Sequence, residues 1–396
     1  MAVSLLDVNA QNLPLEAEFK EAFERVLKSG RFIMGPEMEA FEQECAEFLQ
    51  VKHAFGVSSG TDAILLALMA VDIRPGDEVL CPAFTFFATA GCIRRAGAIP
   101  IFVDCCPICF NIDLSHAASL VTAKTKAIIP VHLFGQSADM DDVQRFANEH
   151  GLRVIEDAAQ SFGARYKGSS CGTIGDFGTY SFFPSKNLGG MGDSGLLVTN
   201  DDALAAKAAK LRNHGMHPKY YHEFVGGNFR MDPLQAVMLS IKLKHYPEYT
   251  KNRQGNASYY LKELLKIEGV SQARPEDCKC LEKQNQQLET SNSELILPVA
   301  YDHNEHIWNQ FTIRVMGDRR DELRDFLQSR DIGCDVYYPV PMNQQECFAD
   351  LRPDGTQALP VTDRLAKEVL SIPVYPELTR LQQDEVIGAI KDFLTN

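Results

Sequence analysis

The feature that most constrains the fold is an alternation of short apolar runs with longer helical stretches in the first half of the chain. The runs lie at Glu78–Cys81, Pro100–Val103, Ala127–Val131 and Arg153–Ile155, each bounded by turn residues or helical segments. Runs of this length suit buried strands, and strands that alternate with helices form βαβ units. The pattern therefore predicts an α/β fold with a mostly parallel central sheet flanked by helices.

The second half of the chain has a different pattern, which predicts a further, smaller domain. Two short strands are expected at Thr179–Phe183 and Gly195–Val198, after which strands and helices are mixed. We expect a large domain over residues 1–245 and a C-terminal α+β domain over residues 246–396. Within the second domain, the polar stretch Pro275–Asn292 is predicted to be a surface insertion.

The charge and hydropathy of the chain exclude several classes of partner. The 39 Lys and Arg residues are outnumbered by 53 Asp and Glu residues, which gives a net charge of −14. Such a chain repels nucleic acid and anionic membranes. No apolar run reaches the roughly 18 residues of a membrane span, and the N-terminal residues do not resemble a signal peptide. We therefore expect a cytoplasmic protein without nucleic-acid or membrane partners.

The 11 cysteines show no regular spacing. Cys105, Cys106 and Cys109 form one local group, and Cys278 and Cys280 form another. Neither group has a second pair at metal-ligand spacing or a histidine close by in the sequence. We therefore predict no metal site and expect reduced thiols in small buried or loop positions.

The candidate catalytic residues are a lysine in a loop and an aspartate at a strand end. Lys186 follows Ser-Phe-Phe-Pro-Ser and precedes Asn-Leu-Gly-Gly, so small residues can present its amine in a pocket. Asp157 closes the strand that begins at Arg153, and ligands of open α/β sheets bind at the carboxyl ends of strands. A Schiff-base lysine and a carboxylate facing a pyridine nitrogen are the groups that pyridoxal phosphate (PLP) requires. The pair predicts PLP as cofactor, although Asp157 alone also fits a helix N-cap.

Other segments suit the phosphate of this cofactor. Ser59-Gly60-Thr61 precedes an apolar helix, and the N-terminus of a helix binds anions through its backbone N–H groups. Gly60 lets the backbone approach a phosphate closely, and Ser181 is a second candidate donor. The same three-residue segment also fits an ordinary helix cap.

Four more residues are candidates for contacts with the cofactor or the substrate. Phe86 follows a strand and can stack on a flat ring, and Gln160 can reach the phenolic oxygen of the ring. Gln160 also fits a capping-box partner. Asn228 and Arg230 are polar groups in a glycine-led loop that suits an anion, and they also fit an ordinary surface loop.

The stretch Gly190-Met-Gly-Asp-Ser-Gly195 matches the dinucleotide-binding pattern GxGxxG. That pattern requires a strand before it and a helix after it, whereas a strand-like apolar run begins at Gly195. A nicotinamide oxidoreductase is therefore disfavoured, and we expect these glycines to shape the loop that carries Lys186.

Together these motifs resemble the DegT/DnrJ/EryC1/StrS family of sugar aminotransferases, a branch of the fold-type I PLP enzymes. The resemblance covers nearly the whole chain, and its clearest segments are Ser59–Ala63, residues 155–163, residues 181–195 and Asn228–Asp232. It implies that Lys186 binds the cofactor covalently and that Asp157 meets the pyridine nitrogen. It also implies a homodimer with shared active sites, in which Asn228 reaches the cofactor phosphate of the neighbouring subunit.

The resemblance implies transamination of a nucleotide-linked keto sugar, with glutamate as donor and pyridoxamine phosphate (PMP) as the intermediate form of the cofactor. Family members that deoxygenate sugars carry histidine at the position of Lys186, so a PMP-dependent sugar dehydratase is disfavoured. The segment Tyr338-Pro-Val-Pro-Met-Asn343 most resembles members that aminate C3 of UDP-linked 3-keto hexuronates.

The expected substrate contacts are Arg230, Tyr337 and Tyr338, with Arg230 suited to a carboxylate or a phosphate. Amination at C4, a dTDP-linked sugar and a non-catalytic PLP-binding regulator remain the alternatives.

Overall fold

The computed structural model describes residues 2–274, 278, 293–351 and 357–395. The predicted insertion over residues 275–292, with the exception of Cys278, lies outside these residues. The helices are α1 (Val8–Asn12), α2 (Glu16–Ser29), α3 (Pro36–Leu49), α4 (Gly60–Ala70), α5 (Phe87–Arg95), α6 (Leu114–Leu120), α7 (Met140–His150), α8 (Asp202–Arg212), α9 (Pro233–Leu264), α10 (Arg320–Ser329), α11 (Pro360–Glu368) and α12 (Arg380–Thr395). The strands are β1 (His53–Val57), β2 (Glu78–Pro82), β3 (Ile99–Val103), β4 (Thr125–Ile128), β5 (Arg153–Asp157), β6 (Arg165–Tyr166), β7 (Ser169–Ser170), β8 (Phe177–Ser181), β9 (Gly195–Thr199), β10 (Val270–Gln272), β11 (Leu295–Leu297), β12 (Asn304–Glu305), β13 (Phe311–Val315) and β14 (Val369–Ile372).

The central sheet has seven strands in the order β1-β9-β8-β5-β4-β2-β3. The five strands from β8 to β3 are parallel to their neighbours, and β9 is antiparallel to both β8 and β1. This arrangement confirms the predicted mostly parallel sheet. Helix α4 is buried along nearly its whole length against the sheet, because its residues are apolar on every side.

Three of the predicted strands hold closely, whereas a fourth is cut short and the strand expected at Thr179–Phe183 is β8, Phe177–Ser181. The predicted strands at Glu78–Cys81, Pro100–Val103 and Arg153–Ile155 are β2, β3 and β5. The fourth predicted strand, Ala127–Val131, is only partly formed, because β4 ends at Ile128. Because Pro130 has no N–H group to donate, the regular ladder stops before it.

The long helix α9 continues to Leu264, although Pro247 lies inside it and cannot donate a backbone hydrogen bond. Packing compensates for the proline: Tyr246 is buried, and its hydroxyl donates to the carbonyl of Phe162. As a result α9 crosses residue 245, where we place the boundary between the two domains.

The C-terminal part of the chain builds a second sheet in the order β10-β11-β13-β14, with α10 packed on it and α12 packed against α10 and α9. Val3 belongs to the same apolar core and forms an isolated bridge with Ile332, so the N-terminal segment packs with the C-terminal part of the chain. The division at residues 245/246 therefore remains a proposal. Across the described residues, no helix combines the length and the apolar character that a membrane crossing requires.

Candidate active site

A pocket of about 670 Å³ opens where the central strands β2, β4, β5 and β8 end. It is lined by ten of the residues selected from the sequence, which are Ser59, Gly60, Thr61, Phe86, Asp157, Gln160, Ser181, Lys186, Tyr337 and Tyr338. The first eight come from the large sheet and its loops, and the two tyrosines come from the C-terminal part. The structure thus gathers segments that are far apart in the sequence into one cavity at the expected edge of the sheet.

Lys186 lies in the loop that joins β8 to β9, residues 182–194, which we call the lysine loop. Two backbone bonds close its base: Phe182 N–H donates to Ser194 O (2.9 Å), and Gly190 N–H donates to Phe182 O (2.7 Å). The N–H of Lys186 itself donates to Phe183 O at 2.8 Å. The loop is therefore a compact turn that holds the lysine at the pocket wall.

Two side chains of α9 hold the lysine loop through hydrogen bonds to its backbone. The fully buried Lys242 donates from Nζ to the carbonyl of Gly189 at 2.6 Å. Gln235 accepts the N–H of Met191 through Oε1 at 2.9 Å. Neither contact is predictable from the sequence, because each depends on the packing of a helix more than 40 residues away in the chain.

The amine of Lys186 is in an environment that favours its uncharged form. Burial lowers its pKa to about 8, and the carboxylate of Asp157 opposes this shift. A lysine with such a pKa is a much better nucleophile near neutral pH than a solvated lysine.

Asp157 is buried at the end of β5 and points into the pocket. Its Oδ2 accepts from Thr89 Oγ1 at 2.7 Å, and its Oδ1 accepts from the N–H of Ala159 at 3.2 Å. Burial raises the pKa of the carboxyl group, whereas these two donors and the charge of Lys186 lower it. Thr89 is therefore a positioning residue that the selection from the sequence missed. It lies on α5, one helical turn after the predicted Phe86.

The neighbouring carboxylate of Glu156 has a different task, because adjacent residues of a strand point to opposite faces. It accepts from His132 Nε2 at 2.8 Å and from the N–H groups of Gly172, Ile174 and Gly175. His132 Nδ1 accepts the N–H of Ala138, so the ring proton is on Nε2 and the histidine donates to Glu156. This buried network fastens the loop before β8 to β5.

Gln160 links two walls of the pocket. Its Oε1 accepts the N–H of Phe134 at 2.6 Å, and its Nε2 donates to the hydroxyl of Tyr338 at 3.0 Å. Tyr337 and Tyr338 are half-buried, and burial raises the pKa of Tyr337 to about 12. Both phenols therefore stay protonated at neutral pH and are available as hydrogen-bond donors or acceptors.

The N-terminus of α4 forms a cradle that fits a phosphate. The N–H groups of Gly60 and Thr61 belong to the first helical turn, where no intrahelical acceptor exists. Ser59 caps the helix by accepting the N–H of Asp62 at 3.0 Å, so its own hydroxyl proton remains available. Ser181 adds a second hydroxyl at the same wall.

Close backbone approach explains why this cradle contains glycines. A Cβ atom on Gly60 would lie 2.7 Å from Ser181 Cβ, and one on Gly195 would lie 2.5 Å from the carbonyl carbon of Ser59. Ser194 Oγ is buried at the pocket wall and has no hydrogen-bond partner within the described ranges. An unpaired hydroxyl beside free helix N–H groups fits an anionic ligand such as the PLP phosphate.

Phe86 lines the pocket, and its ring lies 6.2 Å from the ring of Tyr338. It is more than half exposed, so an aromatic face is available at the pocket mouth. Phe84, by contrast, is buried in the core behind the pocket.

Asn228 and Arg230 do not line the pocket of their own chain in the described residues. They flank Phe229, whose carbonyl accepts the N–H of Ser58, one residue before the helix cap. Arg230 Nη1 donates to Asn213 Oδ1 at 2.5 Å. Their assignment to a phosphate and to a substrate anion therefore stays a prediction.

Comparison with known proteins gives a consistent answer. The family model described as the DegT/DnrJ/EryC1/StrS aminotransferase family matches residues 14–391. A "Pleiotropic regulatory protein" of Geobacillus stearothermophilus is 44% identical, and the match covers 99% of both chains. A UDP-N-acetyl-3-dehydro-alpha-D-glucosamine 3-aminotransferase of Acidithiobacillus ferrooxidans is 38% identical, over 98% of this chain and 97% of the other. The crystal structure of S. venezuelae DesV in complex with a ketimine intermediate has a TM-score of 0.89 at 37% identity and covers 100% of this chain and 99% of the other.

A lysine and a buried aspartate at the carboxyl edge of a mostly parallel sheet define a PLP-dependent enzyme of fold type I. Within this class, the chain belongs to the DegT/DnrJ/EryC1/StrS aminotransferase family, whose relatives include nucleotide-sugar aminotransferases. The family, the fold class, the enzyme class and the cofactor predicted from the sequence are thereby confirmed. The strand β9, which begins at Gly195, stands where the dinucleotide-binding pattern requires a helix.

Proposed function

We propose that this enzyme transfers an amino group from glutamate to C3 of a UDP-linked 3-keto sugar of the N-acetylglucosamine series. The observation that carries the proposal is the half-buried Lys186 opposite the buried Asp157 in a pocket with a phosphate cradle. PLP, when bound there, supplies the electron sink that stabilises a carbanion next to the amino nitrogen. A cytoplasmic location belongs to the same proposal.

Each residue of the site has a defined role in this proposal. Lys186 holds the cofactor and then, as a free amine, carries a proton between the two carbon atoms that exchange it. Asp157, oriented by Thr89, keeps the pyridine nitrogen protonated. Gln160 sets the position of Tyr338, and Phe86 covers one face of the flat ring.

Two observations bear on the identity of the sugar. Lys186 is the only cation among the described pocket-lining residues, so a hexuronate carboxylate lacks a basic partner within this chain. Asn343, which suggested a hexuronate, is buried outside the pocket lining and donates to the carbonyl of Gln357 at 2.9 Å. For a site built from one chain alone, both favour a sugar with an uncharged C6 over the predicted hexuronate. The relatives include enzymes of both kinds, a UDP-N-acetyl-3-dehydro-alpha-D-glucosamine 3-aminotransferase and a UDP-2-acetamido-2-deoxy-3-oxo-D-glucuronate aminotransferase.

The proposal includes a homodimer that completes the site. A groove of about 700 Å³ between α1, α2 and the lysine loop is lined by exposed apolar side chains that include Leu13, Phe23 and Met191. Proteins rarely leave so much apolar surface uncovered. We assign the groove to a second copy of this chain, because Met191 belongs to the lysine loop and a subunit bound there would lie next to the active site. The hairpin that precedes Asn228 carries the exposed Tyr220 and Tyr221, which suit a contact with the same partner.

Absorbance spectroscopy tests the activity. The visible band of the lysine-bound cofactor should disappear when glutamate is added and return when UDP-3-keto-N-acetylglucosamine follows. The matching uronate should restore the band more slowly, and mass spectrometry should identify the 3-amino product. A yellow protein that no amino acid bleaches would contradict the proposal and favour the regulator alternative.

Subunit mixing tests the shared site. Lys186→Ala and Asn228→Ala subunits should each be inactive, and the mixed dimer should contain one intact site. Random exchange then restores about one quarter of wild-type activity, since half of the dimers are mixed and each has one working site. No recovery despite proven subunit exchange would place Asn228 in its own chain's site or outside both.

A further inference from the structure

Three cysteine sulfur atoms that are remote in the sequence converge at one point outside the active site. Cys106, Cys109 and Cys278 have their sulfurs within 4.8 Å of one another. The Sγ of Cys278 lies 3.4 Å from that of Cys106 and 3.7 Å from that of Cys109. The sequence spacing predicts no metal site here, because it does not reveal that Cys278 folds back onto the first group.

We propose that Cys106, Cys109 and Cys278 bind a structural Zn²⁺ ion as thiolates. Zinc–sulfur bonds of about 2.3 Å in a tetrahedron place the sulfurs about 3.8 Å apart, close to the two distances observed. A disulfide joins only two sulfurs at about 2.05 Å, and so leaves the third without a role. Binding forms three Zn–S bonds and releases the thiol protons to water.

The backbone around the first two cysteines already has the form of a metal-binding knuckle. Residues 106–109, the cysteine turn, bring two sulfurs of a Cys-x-x-Cys pair to the same side. The N–H of Ile108 donates to Cys106 Sγ at 3.4 Å, a bond that strengthens when the sulfur becomes a thiolate. Cys105 and Ile112 pair across the base of the turn, and Phe110 N–H donates to Cys106 O at 2.9 Å.

The surroundings suit a stable but accessible metal. Cys106 and Cys109 are buried against Val299 and Tyr301, which keeps water away from their bonds. Cys278 is only half-buried, so an ion can enter from its side. The fourth corner of the tetrahedron is left to water or a further donor. Cys280 lies outside the described residues and does not enter the assignment.

The site would tie two parts of the molecule together close to the catalytic pocket. The cysteine turn follows β3 of the central sheet, whereas Cys278 follows β10 of the C-terminal sheet. The ring of Phe110, next to the turn, lies 5.4 Å from that of Phe134, whose N–H donates to Gln160. Zinc would therefore stiffen the wall behind the pocket and is not expected to take part in the chemistry.

Metal analysis of the full-length enzyme, purified with its cofactor under reducing conditions and supplied with Zn²⁺ alone, tests the proposal. We expect about one zinc per chain, and at least a tenfold lower content in Cys278→Ser, whose half-exposed position makes it the variant least damaging to the fold. Cys347→Ser, which removes an exposed cysteine elsewhere, should keep its zinc. Removing zinc with a chelator should lower the unfolding temperature of the wild type and leave that of Cys278→Ser unchanged.

Cobalt substitution gives an independent readout that does not depend on activity. Co²⁺ bound by three thiolates shows an intense sulfur-to-metal charge-transfer band, which Cys278→Ser and Cys106→Ser should both lose. Less than one zinc in ten chains, zinc retained in both variants, or a disulfide between Cys106 and Cys278 in the protein as isolated would overturn the proposal.

Discussion

Lys186 lies in the lysine loop and Lys242 donates to the backbone of that loop, and burial lowers the pKa of each to about 8. Lys186 faces a cavity and has the carboxylate of Asp157 across from it. Lys242 is enclosed by protein, and its amine donates to the carbonyl of Gly189 at 2.6 Å. The comparison shows that a lowered pKa alone does not identify a catalytic lysine, because desolvation acts on both.

The two amines differ in the groups and the open space that surround them. The nitrogen of Lys242 has a backbone acceptor in place and no open space, so it holds the shape of the loop. The nitrogen of Lys186 opens onto about 670 Å³ of pocket that also holds the helix N-terminus and the tyrosines. We therefore propose that the chemistry belongs to Lys186 and that Lys242 is a positioning residue for the loop that carries it.

The strongest test of this division is removal of the amine of Lys186. Lys186→Ala should lower turnover by more than about 10⁴-fold, because the covalent attachment and the proton carrier are both lost. The measurement is the glutamate half-reaction followed by absorbance, together with product formation. Turnover near the wild-type level would show that another group carries the proton, and Lys242 would then be the first residue to examine.

Asp157→Asn should give the next largest effect, a loss of about 10²–10³-fold in kcat with the cofactor still bound. The amide keeps the size of the side chain but cannot hold a proton on the pyridine nitrogen. Stopped-flow measurement of the half-reaction separates this loss from weaker binding. Near-normal rates would remove Asp157 from the chemistry and leave Lys186 without the partner that distinguishes it from Lys242.

The pH dependence of cofactor capture compares the two lysines directly. Since burial lowers the pKa of Lys186 to about 8, the rate at which cofactor-free protein captures PLP should rise about tenfold per pH unit below that value and level off above it. Asp157→Asn should move the midpoint to lower pH, because the carboxylate favours the charged amine. Lys242→Met should leave the midpoint unchanged. A midpoint near the ordinary lysine pKa of about 10.4 would contradict the burial argument.

The outline of this site could be predicted from the sequence because its main residues lie in recognisable local contexts. Asp157 ends an apolar strand, Ser59 begins an apolar helix, and Lys186 is surrounded by small residues. The strand β1 escaped prediction, since its five residues include Gly56 and the half-exposed His53 and give no clear alternation.

The contacts that complete the site depend on tertiary packing, which no local pattern encodes. Thr89 reaches Asp157 across 68 positions of sequence, and Lys242 reaches Gly189 across 53. The three converging cysteines show the dependence on tertiary packing even more clearly. Cys278 approaches Cys106 across 172 positions, and no local sequence pattern connects the two.

Lys242→Met is expected to have the smallest of these effects on turnover, and it tests whether Lys242 only positions the lysine loop. Methionine fills the same space but leaves the carbonyl of Gly189 without its donor, so we expect the free energy of unfolding to fall by about 1–3 kcal/mol. Turnover should fall only a few-fold, because the lysine loop loses one anchor while Gln235 still accepts from Met191. Denaturant unfolding and steady-state kinetics measure the two effects, with the exposed Lys244→Met on the same helix as the matched control. If Lys242→Met abolished covalent cofactor binding as Lys186→Ala does, the two lysines would form one functional unit and the division between them would fail.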